Sequence, residues 1–321
     1  MPRIVTLLAA ATEIVAAVGA GEELVGVSHE CDHPPEAVAG RPVLTRARVG
    51  PAPSSAGVDR SVRRLVADAL AVYDVDVELL AALAPDVIVT QDLCRVCAVS
   101  LDDARAAVAR LAAKADLRLV SLHPRRLGDI LDDIARVAVA VGRQAAGEWV
   151  VARLRDRIDQ VRNVAAGSPS HPRVVTVEWI QPVMLGGLWM PELIELAGGE
   201  PLGAAAGEPA PTVGPQVLAR LAPDVVVVKP CGFTVQRTLA ELPVLTSTLP
   251  WAAWTGRGRA ARVYVADGNA YFNRSGPRIV DSLELLAALL HPGRFRDQAA
   301  RLGGAALRIG PDLEVLPATT P

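Results

Sequence analysis

The sequence is poor in aromatic residues and has almost no net charge. Aromatic residues make up 3% of the 321 residues, and the formal net charge at pH 7 is −2. Proteins that bind nucleic acids usually carry a basic surface, and those that bind single strands also stack bases on aromatic side chains. Neither feature is present here, so the sequence does not predict a nucleic-acid partner.

Long hydrophobic runs are also missing. No apolar run reaches the roughly 18 residues of a membrane-spanning helix without a charge, glycine or proline. Residues 4–19 resemble a signal-peptide core behind Arg3, but Glu13 interrupts the run, and a strand followed by a helix fits equally well. We therefore expect no membrane insertion and a mature, cytoplasmic chain.

The motifs of common enzymes do not occur in the sequence. There is no Ser-His-Asp order and no pair of general-acid carboxylates. The glycine pairs at 186–187 and 198–199 lack the G-x-G-x-x-G spacing of a phosphate-binding loop. The sequence therefore favours a binding function over a hydrolase or dehydrogenase.

What the sequence does contain is a folded, two-part α/β pattern. Hydrophobic residues make up 51% of the chain, which excludes a disordered protein. Short β-branched runs alternate with amphipathic helical stretches, as in parallel sheets covered by helices. Residues 79–90 match residues 217–228 almost one for one, which favours two similar lobes. The helical stretch at 145–165 would be about 30 Å long, enough to connect two domains.

We therefore predict an α/β fold with two Rossmann-like lobes, each built on a central parallel sheet, joined by one long helix and separated by a ligand cleft. The predicted segments are the N-terminal lobe 1–143, the linking helix 144–168, the C-terminal lobe 169–295 and a tail, 296–321. The linking helix is expected to pack through one stripe of apolar residues. These residues are Trp149, Val150, Leu154, Ile158 and Val161.

The four cysteines all lie just beyond the ends of predicted strands. They are Cys31, Cys94, Cys97 and Cys231. Two residues separate Cys94 from Cys97, a spacing at which both thiolates reach one centre, and such ligands favour zinc, an iron–sulfur cluster or cuprous copper. His29 and His33 flank Cys31 as possible additional ligands. The alternatives are cysteines packed as small hydrophobic residues and histidines that are merely solvated.

Other polar and aromatic residues at the strand ends are candidates for ligand binding, because ligands of open α/β sheets bind there. They are Glu30, Gln91, Asp92, Glu178 and Trp179. Glu30 and Asp92 could equally cap neighbouring helices, and Trp179 could equally pack in the core. Trp189, Trp251 and Trp254 are expected to be structural, because they lie in connecting segments.

Three stretches resemble a known family. They are residues 25–35 (VGVSHECDHPP), the two Leu-Ala-Pro-Asp repeats, and residues 271–280 (YFNRSGPRIV). In these the chain is similar, over residues 3–295, to the helix-linked (class III) substrate-binding proteins of ABC importers and, within them, to the cobalamin-binding proteins. The resemblance implies a rigid two-lobed protein that holds a large metal complex between its lobes.

The resemblance also implies roles for individual residues. Arg274 stands where the family has an arginine lining the cleft, and Tyr271 and Phe272 would give apolar contact. Where cobalamin binders place Trp and Tyr, however, this chain has cysteines and acids. Two functions therefore stay open: non-enzymatic binding of a corrinoid, and a cytoplasmic metalloprotein whose four cysteines hold zinc or an iron–sulfur cluster, with or without redox chemistry.

The family also presents one glutamate from each lobe to the ABC permease. Glu78 matches the first of them, whereas no carboxylate stands at the second place, near Pro215. The sequence therefore does not predict docking on a permease in the usual two-point manner.

Overall fold

The computed structural model describes residues 1–48, 54–67, 73–91, 117–256 and 260–318. The chain divides into two compact units. The first unit comprises Met1–Pro53, Gly57–Pro124 and Gly128–Leu154. The second unit comprises Ser54–Ala56, Arg125–Leu127 and Arg155–Pro321.

The first unit is built on a four-stranded parallel sheet in the order β2-β1-β5-β6, and β3 and β4 form a separate antiparallel pair. Its strands are β1 (Ile4–Thr6), β2 (Leu24–Gly26), β3 (Thr45–Ala47), β4 (Tyr73–Val75), β5 (Val87–Gln91) and β6 (Arg118–Leu122). The helices up to the long one are α1 (Ala9–Ala17), α2 (Pro35–Val38), α3 (Ser55–Ala67), α4 (Val77–Leu83), α5 (Leu127–Ala140) and α6 (Gln144–Ala166). All residues of β5 are buried, as expected for a central strand covered on both faces.

The second unit has a seven-stranded sheet in the order β13-β12-β11-β10-β7-β8, and β9 pairs with β7. Its strands are β7 (Arg173–Trp179), β8 (Met184–Leu185), β9 (Glu200–Pro201), β10 (Val225–Val228), β11 (Arg262–Ala266), β12 (Ala306–Ile309) and β13 (Val315–Pro317). Its helices are α7 (Met190–Leu196), α8 (Pro215–Arg220), α9 (Val235–Ala240), α10 (Leu242–Thr248), α11 (Trp251–Thr255), α12 (Ile279–Leu290) and α13 (Arg296–Leu302). The central strands β7, β10 and β11 run parallel, so their carboxyl ends meet at one edge.

The predicted α/β fold is confirmed. The two similar stretches form α4 followed by β5 and α8 followed by β10, and the long helix α6 has 23 residues. Residues 296–317, described from the sequence as a tail, instead form α13 and the antiparallel strands β12 and β13. Among the helices of the described ranges, none is long and apolar enough to cross a membrane.

The predicted packing stripe on α6 is confirmed at four positions and wrong at Trp149. Val150, Leu154, Ile158 and Val161 are buried, whereas Trp149 is 60% exposed. Adjacent helix positions point about 100° apart, so Trp149 lies beyond the edge of the stripe. Its ring is covered instead by the guanidinium of Arg153, which lies 4.9 Å from the ring centroid.

Asp133 on α5 makes the first unit sensitive to pH. Its side chain is only 2% exposed, and burial raises its carboxyl pKa from 3.8 to about 6, although Arg136 and the backbone N–H of His123 partly oppose that shift. A carboxyl whose folded pKa is raised stabilises the fold below its unfolded pKa, and this contribution is lost as the pH rises through about 6. The free energy of unfolding should therefore fall between about pH 4 and pH 6 from this group.

The variant Asp133→Asn should remove this pH dependence. At pH 8 it should raise the free energy of unfolding by about 1–3 kcal/mol, because the net shift of about two pKa units, which already includes the attraction to Arg136, corresponds to about 3 kcal/mol. Urea unfolding at several pH values measures the effect. Asp159→Asn is the control, because Asp159 forms an exposed ion pair with Arg162 on α6. An unchanged pH slope in Asp133→Asn would contradict the prediction.

Candidate functional site

In the first unit, the loop after β2 is organised by the hydroxyl of Thr45. The backbone N–H of His29 donates to Thr45 Oγ1 at 3.0 Å, and His29 Nδ1 lies 2.7 Å from the same oxygen. Thr45 in turn donates to Ser28 Oγ at 2.9 Å. Thr45 is the first residue of β3, so this strand fixes the orientation of the exposed His29 ring.

Glu30 and Tyr73 form a surface beside His29. The Tyr73 hydroxyl donates to Glu30 Oε1 at 2.8 Å, and the rings of Tyr73 and His29 lie 5.2 Å apart. Glu30 is exposed, as expected for a ligand-binding residue, and it does not cap a helix. Sequence patterns alone did not select Tyr73, because it lies on β4, 43 positions after Glu30 in the chain.

Cys31 is part of this loop, but its side chain does not lie on the loop's surface. Its side chain is buried, and Thr12 Oγ1 donates to its sulfur at 3.0 Å. The hydroxyl of Thr12 is also 2.6 Å from that of Thr6 at the end of β1. The thiol therefore occupies a buried, hydrogen-bonded position.

Gln91 is the last residue of β5 and is buried. The predicted site residues Asp92, Cys94 and Cys97 lie outside the described residues. Among the residues that the structure describes, no group of three or more His, Cys, Asp or Glu could hold a metal ion. Cys31 and Cys231 belong to different units. The described part of the chain therefore gives the four-cysteine site no support.

In the second unit, a buried lysine organises the carboxyl ends of the strands. Lys229 directly follows β10, and its side chain is 0% exposed. Its ammonium donates to Glu178 Oε2 at 2.9 Å and to Asn273 Oδ1 at 2.7 Å. A buried ammonium is costly unless it is paired, so Glu178 stabilises Lys229 and is held in place by it.

Asn273 joins the loops that follow β10 and β11. Its amide nitrogen donates to the backbone oxygens of Lys229, at 3.0 Å, and Gly268, at 2.8 Å. The loops approach so closely at Gly268 that a Cβ there would meet the backbone oxygens of Pro230 and Lys229. Sequence reasoning selected neither Lys229 nor Asn273, although Lys229 is one of only two lysines and stands at a strand end.

Two aromatic residues lie at this edge of the sheet, Trp179 at the end of β7 and Phe233 after β10. Trp179 is half-buried at the end of β7, and its ring meets the Phe233 ring edge-on, with centroids 5.2 Å apart. Its Nε1 is buried without a hydrogen-bond partner in the described part of the chain. The guanidinium of the exposed Arg237 lies over Phe233, 4.0 Å from the ring centroid. Cys231, in the loop after β10, is half-buried.

The stretch 271–280 divides between surface and core. Tyr271 is half-buried, burial raises the pKa of its hydroxyl, and Arg278 lies over its ring. Phe272 is fully buried, and its backbone oxygen accepts from Trp189 Nε1 at 2.8 Å. Its side chain therefore packs inside the unit and does not present a surface to a ligand, contrary to the prediction. Arg274 is largely buried and donates to Asn269 Oδ1 at 3.4 Å.

The two positions considered for permease docking differ in their charge. Glu78 is exposed in the first turn of α4, whereas the first turn of α8 contains no acidic residue. The expectation that two-point docking fails stays a prediction.

Comparisons with known proteins place this geometry in a family. The family model described as "Periplasmic binding protein" matches residues 4–249. A periplasmic haem-binding protein from Pseudomonas aeruginosa has a similar structure, with a TM-score of 0.65 and 19% identity, covering 92% of this chain and 94% of that one. A periplasmic vitamin B12-binding protein of Vibrio cholerae gives a TM-score of 0.61 and 20% identity, covering 92% and 97%. A comparison with curated protein sequences finds no match.

These findings overturn the prediction of a cytoplasmic chain. The family whose model matches the chain is described as periplasmic, which points to a periplasmic rather than a cytoplasmic location. The prediction rested on Glu13 in the first apolar run, but that residue is buried in α1 and belongs to the fold of the first unit. It therefore carries no information about the compartment. Because the family model matches most of its length, the chain belongs to the periplasmic binding protein family.

Proposed function

We propose that the protein binds a macrocyclic metal complex without converting it, and that this complex is a corrinoid. Membership of the periplasmic binding protein family supports a binding role. Two proteins of similar fold are described as binding haem and vitamin B12, both of which are macrocyclic metal complexes. Because the protein's relatives do not separate these two cargoes, the experiment below includes both.

The observation that carries this proposal is the aromatic and cationic surface at the strand ends of the second unit. The half-buried Trp179 supplies apolar ring surface and is held edge-on by the buried Phe233, and Arg237 supplies an exposed positive charge beside it. A macrocycle combines a broad apolar plate with a polar periphery, so it needs both kinds of contact.

The other proposed contacts follow the same division. Tyr271 would extend the apolar contact, and Arg274 would meet a polar edge of the ligand. Glu178, in the same unit, would accept hydrogen bonds from donors on the periphery, such as the amides of a corrinoid.

Titration of the purified protein with cyanocobalamin, aquacobalamin and haem tests the proposal. Absorbance reports changes at the macrocycle, and calorimetry reports binding that leaves the spectrum unchanged. Binding of either cobalamin supports the corrinoid proposal. Binding of haem alone replaces the corrinoid by haem, and no heat or spectral change with any ligand at tens of micromolar refutes a macrocyclic cargo.

The variant Trp179→Leu should weaken binding of the accepted ligand about tenfold or more, because it removes an aromatic face while keeping an apolar side chain. Trp149→Leu is the matched control, since Trp149 is an exposed tryptophan on α6 and not at a strand end. It should leave the dissociation constant unchanged. Circular dichroism of both variants checks that the fold is retained, and equal affinities would contradict the proposed role of Trp179.

A further inference from the structure

We propose that Glu178, held in place by Lys229, selects for a ligand whose adjacent edge donates hydrogen bonds and against one that carries a carboxylate there. The ligand class that meets this requirement is a corrinoid whose peripheral amides are intact. This inference rests on the proposed function and adds to it the residue that determines this specificity. The observation that carries it is the series of hydrogen bonds from Asn273 through Lys229 to Glu178.

The side chain of Asn273 has one orientation that satisfies its neighbours. An ammonium only donates hydrogen bonds, so the amide oxygen of Asn273 faces Lys229, 2.7 Å from its Nζ atom. The amide nitrogen then donates to the backbone oxygens of Lys229 and Gly268, at 3.0 and 2.8 Å. Asn273 therefore fixes the position of the ammonium from inside the second unit.

Lys229 in turn orients Glu178. Its side chain is 0% exposed, so the ammonium itself does not present a surface to a ligand. It donates to Oε2 of Glu178 at 2.9 Å, whereas Oε1 makes no hydrogen bond with any residue in the described ranges. The side chain of Glu178 is 27% exposed. The exposed part of this ion pair is therefore the carboxylate, with Oε1 left to accept from a ligand.

A carboxylate oxygen accepts hydrogen bonds but donates none. A ligand amide can donate to Oε1 of Glu178, whereas a ligand carboxylate has no proton to share and brings a like charge. A site that leaves polar groups unpaired with the wrong ligand discriminates strongly against it. Arg237 offers donors at another place, over the ring of Phe233, so we expect this selection only at the ligand edge beside Glu178.

Cobalamin monocarboxylates, in which one peripheral amide at a time is hydrolysed, test the inference. Calorimetric titration at pH 8 compares each of them with the parent cobalamin that the wild-type protein binds. At least one isomer should bind about tenfold or more weakly than the parent, because its carboxylate would lie beside Glu178. Affinities for the parent and for every isomer that agree within about threefold would overturn the inference.

Glu178→Gln should abolish this discrimination. The glutamine oxygen would accept from Lys229, so the amide nitrogen would take the place of Oε1 and could donate to a ligand carboxylate. The dissociation constant of the rejected isomer, divided by that of the parent, should fall about tenfold, to near one. Both constants are measured on the same folded protein, so a change in stability alone does not move their ratio.

Glu200→Gln is the matched control and should leave this ratio unchanged. Glu200 is exposed on β9 and pairs with Arg173, which begins β7, whereas Glu178 lies near the other end of that strand. Circular dichroism checks the fold of each variant. If Glu178→Gln does not fold, the double variant Glu178→Gln/Lys229→Met takes its place, because it also removes the buried ammonium, and the same fall in the ratio is expected.

The outcomes separate this inference from the proposed function. An isomer that the wild-type protein and the folded Glu178→Gln variant reject equally overturns the role of Glu178 and leaves the proposed function intact. A wild-type protein that binds neither cyanocobalamin nor aquacobalamin refutes the corrinoid cargo and, with it, this inference. Rejection that is lost in Glu178→Gln and kept in Glu200→Gln supports it.

Discussion

Glu178→Ala is expected to lower the free energy of unfolding by about 3–5 kcal/mol, because it leaves a buried ammonium without its negative partner. Lys229 is fully buried, and Glu178 is the carboxylate 2.9 Å from its Nζ atom. Among the residues that the structure describes, the acceptor left for that ammonium after the substitution would be the neutral Asn273 Oδ1, at 2.7 Å. Urea unfolding followed by circular dichroism measures the loss.

A double-mutant cycle separates this effect from the loss of one contact. Lys229→Met removes the charge but keeps an unbranched apolar side chain, so it should destabilise less than Glu178→Ala does. The double variant Glu178→Ala/Lys229→Met should therefore recover part of the stability that Glu178→Ala loses. If Glu178→Ala changes the free energy of unfolding by less than about 1 kcal/mol, the ammonium is not held by this carboxylate.

Glu178 and its partners show how much of the site could be predicted from the sequence. The α/β pattern, the long helix and the position of Glu178 at a strand end could all be predicted, because period-2 and period-3.6 hydrophobic patterns are local. The partners of Glu178 could not be predicted, since Lys229 and Asn273 lie 51 and 95 positions farther along the chain. The pairing of β7 with β10 brings Glu178 to Lys229, and the pairing of β10 with β11 brings the segment that carries Asn273 beside them.

Phe272 and Cys31 illustrate a second limit. Both stand beside predicted strand ends or family motifs, yet their side chains are buried. Position in a loop predicts that a residue is near a site, but it does not predict the direction of the side chain. At Phe272 the backbone has a φ of 65°, a conformation that bulky residues rarely adopt and that no hydrophobic pattern indicates.

His29 shows the opposite case, in which a modest sequence feature gains meaning from the structure. The sequence favoured a solvated histidine over a metal ligand at this position. Its interpretation changes because Thr45, 16 residues farther along the chain, forms a hydrogen bond with Nδ1 of His29. The family resemblance selected the stretch that contains His29, whereas the hydrogen bonds show which ring nitrogen is engaged within the first unit.

Gly268→Ala is expected to lower the free energy of unfolding by about 3 kcal/mol or more and to weaken ligand binding. The added Cβ would meet Pro230 O and would lie 2.6 Å from Lys229 O, both of which are backbone atoms that no rotamer change can move. Overpacking alone costs about 1–3 kcal/mol, and separating the loops would also weaken the hydrogen bonds from Asn273 to both of them, at about 1 kcal/mol each.

Gly128→Ala is the control for this substitution, because a Cβ at Gly128, in the first turn of α5, would meet nothing within 4 Å. It should change the free energy of unfolding by less than about 1 kcal/mol and leave ligand affinity unchanged. Separation of the loops after β10 and β11 would displace Phe233 in one loop and Asn273 in the other. Gly268→Ala should therefore lower affinity as well as stability. Calorimetric titration below the unfolding temperature measures the affinity, and a Gly268→Ala protein as stable as Gly128→Ala would show that these loops tolerate a wider spacing.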